Sequence, residues 1–262
     1  MWLRVSCNLA FDIETPTPFI LMLRPRSGAE QCIERDEFKT YANVPIIEFT
    51  DDYGNLCQRL VAPLGRFTLF TSSDVKTSEF VDVNFDAPFV EIQNLPNDVL
   101  CYLLPSRYCE SDRFNDLANT ITADQPVGYK QVFAIEEWLR TNISYIPGSS
   151  DFPISATEVN YRRSGVCRDL SHLGIALCRS LSIPARMVVG YLHILHPMDM
   201  HAWFEAYVGG RWYTFDATQT KQKGGYVAVG YGLDAADVAI FNQFGPVAHS
   251  LEQRVTVKQI KI

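Results

Sequence analysis

The segment MHAWFEAYVGGRWYTFDATQ, residues 200–219, leaves its backbone few choices. Residues 201–208 alternate in character, Gly209-Gly210 is a two-residue hairpin signal, and residues 211–216 form the return strand. A two-residue loop sets Val208 opposite Arg211, so the ladder runs on to Trp203 opposite Asp216 and His201 opposite Thr218. Both pairs share one face, because each strand steps by two along that face. His201 and Asp216 become diagonal neighbours, about 7–8 Å apart at the backbone and within side-chain reach. A carboxylate so placed fixes the tautomer of an imidazole and stabilises the imidazolium formed when the ring takes a proton. A lone His–Asp pair serves structure as often as chemistry, so its meaning depends on a third group.

That group lies upstream, in RRSGVCRDLSHLGIALCRSLSIPARMVVGY, residues 162–191. The spacing predicts a helix over about 166–181, entered through Ser164-Gly165 and stopped by the Ile183-Pro184 step. Cys167 falls in its first turn, where unpaired backbone N–H groups and the helix dipole favour a thiolate. Leu170, Gly174, Leu177, Cys178 and Leu181 form one apolar face by three- and four-residue spacing, and Cys167 shares it. A buried helix cysteine is ordinarily inert packing, and Cys178 fits that description. Cys167 departs from it only because a histidine and an aspartate follow on an ordered hairpin. The order Cys, His, Asp on helix, strand and strand is that of an activated thiol nucleophile. A zinc site from Cys167, His172 and Cys178 fails, since the three do not share one side of a helix; no metal is expected.

The rest of the chain supplies context. Residues 19–23, 66–71 and 80–85 read as strands, the last by alternation, and turn signals at 52–55 and 95–97 separate such pieces. A helical period resumes at Val132, Ile135, Glu136 and Leu139 and ends before Asn142. The division expected is a β-rich region of residues 1–112 and an α+β core of residues 113–262. Thirty acidic residues against twenty-three basic ones give a net charge of -7, a field that repels nucleic acid. No run of about 18 apolar residues offers a membrane span. The first residues lack the apolar stretch and cleavage site of a signal peptide, so a cytoplasmic protein is expected. Seven cysteines without a CxxC pair read as reduced thiols rather than a disulfide framework.

Several short motifs sit together here: Gly165-Val166-Cys167-Arg168-Asp169, Ile183-Pro184-Ala185-Arg186 with Gly190-Tyr191, His201-Ala202-Trp203 with Glu205, and Trp212 with Phe215-Asp216-Ala217-Thr218. With them the chain resembles the bacterial transglutaminase-like superfamily, and the likeness extends over nearly its whole length. The strands and turns of the first hundred residues read as an N-terminal antiparallel β sandwich, and the resemblance implies that a papain-like core follows, in which a helix carrying the cysteine packs on an antiparallel sheet. It carries over Cys167 as nucleophile, His201 as base then acid, and Asp216 as orienter. It implies acyl transfer at amide carbonyls of a protein or peptide; the alternatives are a catalytically silent protein- or peptide-binding module of the same fold, or another Cys-His-Asp acyltransferase using a thioester donor. No cofactor, nucleic acid or membrane is expected. The calcium sites of animal members have no counterpart, and residue 217 is alanine where many members have proline. Among the neighbours, Asp169 is expected to stabilise the helix start, His172 to be packed or to cap, and Glu205 to be a buried hydrogen-bond partner. Trp203 and Trp212 are expected as core or groove walls, and His193 and His196 lie in the loop before the hairpin.

Overall fold

The structure, a computed structural model, describes residues 1–28, 30–220, 223–246 and 248–261. Its first third is all strand: β1 (Trp2–Ile13), β2 (Thr17–Leu21), β3 (Gln31–Thr40), β4 (Ile47–Thr50), β5 (Leu56–Ala62) and β6 (Gly65–Thr77). In β1, Leu3, Val5, Cys7, Leu9 and Phe11 alternate with more polar residues and are 1% exposed or less, the period-two pattern of a half-buried strand. The expected strand at 80–85 does not form. Phe80, Val83 and Phe85 are exposed, so neither face of that alternation is buried and no ladder forms across it.

The remainder is mixed: α1 (Asn115–Thr122), α2 (Tyr129–Asn142), β7 (Ser144–Tyr145), α3 (Ala156–Arg162), β8 (Ser164–Gly165) and α4 (Cys167–Ser180), then β9 (Ala185–Leu192), β10 (Met200–Val208), β11 (Arg211–Phe215), β12 (Tyr226–Gly232), β13 (Phe241–Gln243) and β14 (His249–Ile260). Three sheets have four strands each, in the orders β14-β1-β6-β3, β13-β2-β5-β4 and β11-β10-β9-β12, all antiparallel. A short parallel pair, β7-β8, brings Tyr145 beside Gly165. The last two strands return to the N-terminal sheets, β14 beside β1 and β13 beside β2. Residues 241–260, expected with the core, therefore complete the N-terminal sheets, because β1 and β2 each offer an edge that needs pairing. Those sheets meet through rings: Phe11 lies 5.0 Å from Phe19 and 5.1 Å from Phe241 between centroids.

Sequence spacing predicts one apolar face for α4. The helix is instead buried all round from Asp169 to Arg179, because β10 covers one side and α1, α2 and α3 cover the others. Gly174 allows the closest approach, since a Cβ there would meet the ring of Phe204 at 2.7 Å. No helix among the described residues is long and apolar enough to cross a membrane.

Gly190 of β9 has the same importance within the sheet. A Cβ at that position would stand 2.0 Å from the Val227 carbonyl oxygen of β12 and 3.0 Å from the Trp203 ring. Neither can yield, the first being ladder backbone and the second a fully enclosed ring. Gly190→Ala should destabilise the protein by about 3 kcal/mol in urea denaturation. An unchanged midpoint would contradict this close approach of β9 and β12.

Candidate active site

Cys167 is the first residue of α4, half-buried at the helix N-terminus. The entry is tight: a Cβ at Gly165 would meet that of Asp169 at 2.8 Å. Asp169 is fully buried and accepts the Val166 N–H at 3.1 Å, satisfying one of the orphan donors of the helix start. It also accepts from Ser150 Oγ and from Arg168 Nε. Arg168 in turn donates to Ser150 Oγ at 2.9 Å and to the Phe152 carbonyl at 2.8 Å. The Ile146 N–H donates to the Gly165 carbonyl at 3.0 Å. Loop 146–153 is thus clamped against the turn that carries the thiol.

The hairpin has the register expected, from Val208 opposite Arg211 to Phe204 opposite Phe215. His201, Trp203, Glu205 and Tyr207 share one face of β10 by alternation, and Asp216 follows directly on β11. The structure brings His201 Nε2 to within 2.7 Å of Asp216 Oδ2, with both residues 2% exposed or less. The other ring nitrogen, Nδ1, has no hydrogen-bond partner among the described residues. The Cys167 side chain acts on the imidazole by charge and by a side-chain hydrogen-bonding interaction looser than a fully formed bond.

Burial alone would push the imidazole pKa down. The Asp216 charge, the neighbouring Cys167 and the hydrogen bond to Asp216 outweigh that penalty and push it up to about 10. Asp216 moves the opposite way. Burial opposes its ionisation, but His201, Thr218 and Tyr226 hold its carboxyl below the ordinary value.

Asp216 is itself held from several sides. Thr218 donates its N–H at 3.0 Å and its hydroxyl at 2.7 Å to Oδ1, and Tyr226 Oη donates to Oδ2 at 2.9 Å. Its backbone N–H donates to Glu136 Oε1 at 2.7 Å, and Arg140 donates to its carbonyl at 3.2 Å. Sequence reasoning assigned no role to Tyr226, Glu136 or Arg140. One signal was present: Glu136 is an acid in the middle of an apolar helical spacing, and such a residue is buried only with a partner. Tyr226 had no signal, because β12 reaches Asp216 only through the sheet order.

The remaining candidates divide clearly. His172 is fully buried on α4, stacked on Tyr108, with Nδ1 2.9 Å from the Ile154 carbonyl and Nε2 accepting from the Ala235 N–H at 3.2 Å. Burial lowers its pKa, which agrees with a neutral packed ring. Glu205 pairs with Arg186 at 2.8 Å. Trp203 is a core ring stacked on His201, with centroids 6.2 Å apart, and Trp212 packs on Arg186, Tyr207 and Tyr102. Among the described residues, no group of three His, Cys, Asp or Glu side chains is placed to hold a metal ion.

Comparison with known proteins adds a separate line of support. The model of the transglutaminase-like superfamily matches residues 115–217. A crystal structure from Cytophaga hutchinsonii, named "Putative Cysteine Protease", is 35% identical, covering 100% of this chain and 91% of its own, with a TM-score of 0.92. An uncharacterised protein of Mycobacterium leprae (strain TN) is 28% identical over 262 residues, 91% of each chain.

Two measurements test the site's electrostatics. Burial pushes Cys7 up to about 12 and Cys57 up to about 11, and raises Cys109 and Cys178 further. Cys101 is raised as well, by partial burial. With iodoacetamide near neutral pH, Cys167 should label first of the seven thiols, and peptide mapping reads the order. Faster labelling at Cys32 or Cys101 would contradict the site. His201, with a folded pKa above its unfolded value of about 6.5, stabilises fully below that value. That stabilisation is lost as pH rises through about 10. The stability gap between wild type and His201→Gln should therefore narrow steadily between about pH 7 and pH 10 in denaturant titrations.

Proposed function

The chain belongs to the transglutaminase-like superfamily, and on that premise we propose that it is a thiol-dependent enzyme acting on amide carbonyls through Cys167, His201 and Asp216. The observation that carries the reading is the buried His201–Asp216 pair, whose unbonded ring nitrogen neighbours a cysteine at a helix N-terminus. The raised imidazole pKa suits His201 to take and hold a proton at the site. The helix dipole and the free N–H groups of the first turn stabilise that sulfur.

In this reading the sulfur attacks a carboxamide or peptide carbonyl, forming a C–S bond. His201 gives its proton to the leaving amine or ammonia as the C–N bond breaks, and a thioester remains. Neutral His201 then takes a proton from water or from a second amine as its oxygen or nitrogen bonds to the acyl carbon; the C–S bond breaks, the sulfur leaves with the electron pair, and the product is the acid or a new amide. Asp216 stays ionised throughout and holds the ring with Nε2 protonated, which leaves Nδ1 to work on the thiol. Tyr226 and Thr218 serve this step indirectly, by fixing both carboxylate oxygens. The partner is a protein or peptide, a choice supported by exposed Ile146 and Phe152 on the loop clamped beside the thiol. The net charge of -7 speaks against nucleic acid.

Intact-mass analysis after incubation with candidate acyl donors tests the proposal. The wild type should gain the mass of the acyl group less the leaving amine, and Cys167→Ala should gain none. Asp216→Asn should keep the fold and lose turnover by orders of magnitude, about 10⁴-fold where the orienting carboxylate is fully required. Equal adducts on wild type and Cys167→Ala would sink the assignment.

A further inference from the structure

A second feature lies on the same face of β10 as His201. A cavity of about 930 Å³ opens between the core sheet and the N-terminal sheets, with Arg186, Trp203, Glu205, Trp212, Tyr226 and Tyr231 among its walls. Its lining does not include Cys167, His201 or Asp216. The volume is that of a site for a sizeable ligand.

The cavity is preformed. The free edge of β12 is closed by two side-chain amides acting as a surrogate strand. Gln31 Nε2 donates to the Ala228 carbonyl at 2.7 Å, and Gln31 Oε1 accepts the Ala228 N–H at 2.8 Å. Asn55 repeats the arrangement at Tyr231, at 2.7 and 2.8 Å. Thr77 Oγ1 donates to the Tyr226 carbonyl at 2.8 Å. These bonds hold the tyrosine-bearing strand at a fixed distance from the N-terminal sheets, so little ordering remains for binding to supply.

The chemistry of the walls selects the ligand. Three arginines and three carboxylates line the cavity among the described residues, so its charge is balanced. Each arginine already has an acceptor: Arg186 has Glu205 at 2.8 Å, Arg211 has Asp82, and Arg26 has the Gly54 carbonyl at 2.6 Å. For Arg186 and Arg211 that acceptor is a carboxylate, which offsets the pull of either on an anionic ligand. The Arg186 guanidinium is also fixed between the rings of Trp212 and Tyr231, 4.2 Å from each centroid. An extended peptide would need the β12 edge, which Gln31 and Asn55 occupy. What the walls offer is partly exposed ring surface, from Phe80, Tyr53 and Tyr226, for C–H faces beside the paired Arg186 and Glu205 as donor and acceptor for hydroxyl groups.

We propose that this cavity binds a neutral, polyhydroxylated ligand of oligosaccharide size. The ligand meets the active-site region through two walls, since Trp203 stacks on His201 and Tyr226 donates to Asp216. Binding itself needs no thiol.

Calorimetric titration of the full chain with maltotriose, cellotriose and chitotriose tests the proposal, with tryptophan fluorescence as a second readout. At least one trisaccharide should bind saturably at one site with Kd below about 1 mM. Wild type and Cys167→Ala should bind it equally, which separates this result from the fate of the acyl-transfer reading. Gly28 lines the cavity, and a Cβ there meets nothing within 4 Å, so Gly28→Trp fills the space at little risk to the fold. That variant should weaken binding at least about tenfold, whereas Gly28→Ala should not. Trp212→Ala, on the edge strand β11, should weaken it as well. Absence of saturable binding by all three sugars would overturn the proposal, as would binding unchanged in both Gly28→Trp and Trp212→Ala. Preferential binding of inorganic phosphate, trilysine or triglutamate would overturn it in favour of an ionic site.

Discussion

Burial of α4 on every side is the constraint from which the arrangement follows. A helix exposed on one face can leave its polar residues in water, but this one cannot. Asp169, His172 and Arg179 are at most 3% exposed, and each unpaired buried polar group would be costly. Arg179 accordingly donates to the carbonyls of Leu104, Ala185 and Leu233 and to Ser106 Oγ, joining two distant stretches of chain to the start of β9. Asp169 and Arg168 do the same at the other end for loop 146–153. The partners that solvate these side chains also immobilise the helix, and with it the thiol in its first turn.

The His201–Asp216 pair follows the same logic at higher stakes. Low local dielectric strengthens the attraction between imidazolium and carboxylate, but it also penalises any lone pair left unmet. Both carboxylate oxygens are therefore occupied, by Thr218 on one side and by His201 and Tyr226 on the other. One ring nitrogen of His201 remains unbonded beside Cys167.

The chain ends contribute at a distance. β14 lies along the whole of β1, and β13 extends the sheet of β2, so the terminal strands cover edges that would otherwise be open. The core sheet solves its edge problem differently, with Gln31 and Asn55 hydrogen-bonding to β12 in place of a strand. That substitution keeps the N-terminal sheets apart from the core sheet, and the 930 Å³ cavity is the space so preserved.

Much of the site was legible in local pattern. The diglycine hairpin has a single natural register, which put His201 and Asp216 within reach of each other. Ser164-Gly165 before an apolar helical spacing put Cys167 at a helix N-terminus. Period-two and 3.6-residue patterns are properties of neighbouring residues, and a sequence displays them directly. The alternation at 80–85 misled for a complementary reason: alternation marks a strand only where one face is buried, and burial depends on what packs against it. The same holds for the membership of β13 and β14 in the N-terminal sheets, the enclosure of α4 on all sides, and the reach of Tyr226 and Glu136 to Asp216. The sequence by itself determined the local elements and the pairings one turn apart. Contacts between residues far apart in the chain leave no periodic trace in it, so only the tertiary structure decided which strands meet, which polar groups are sealed from water, and what then holds the aspartate in place.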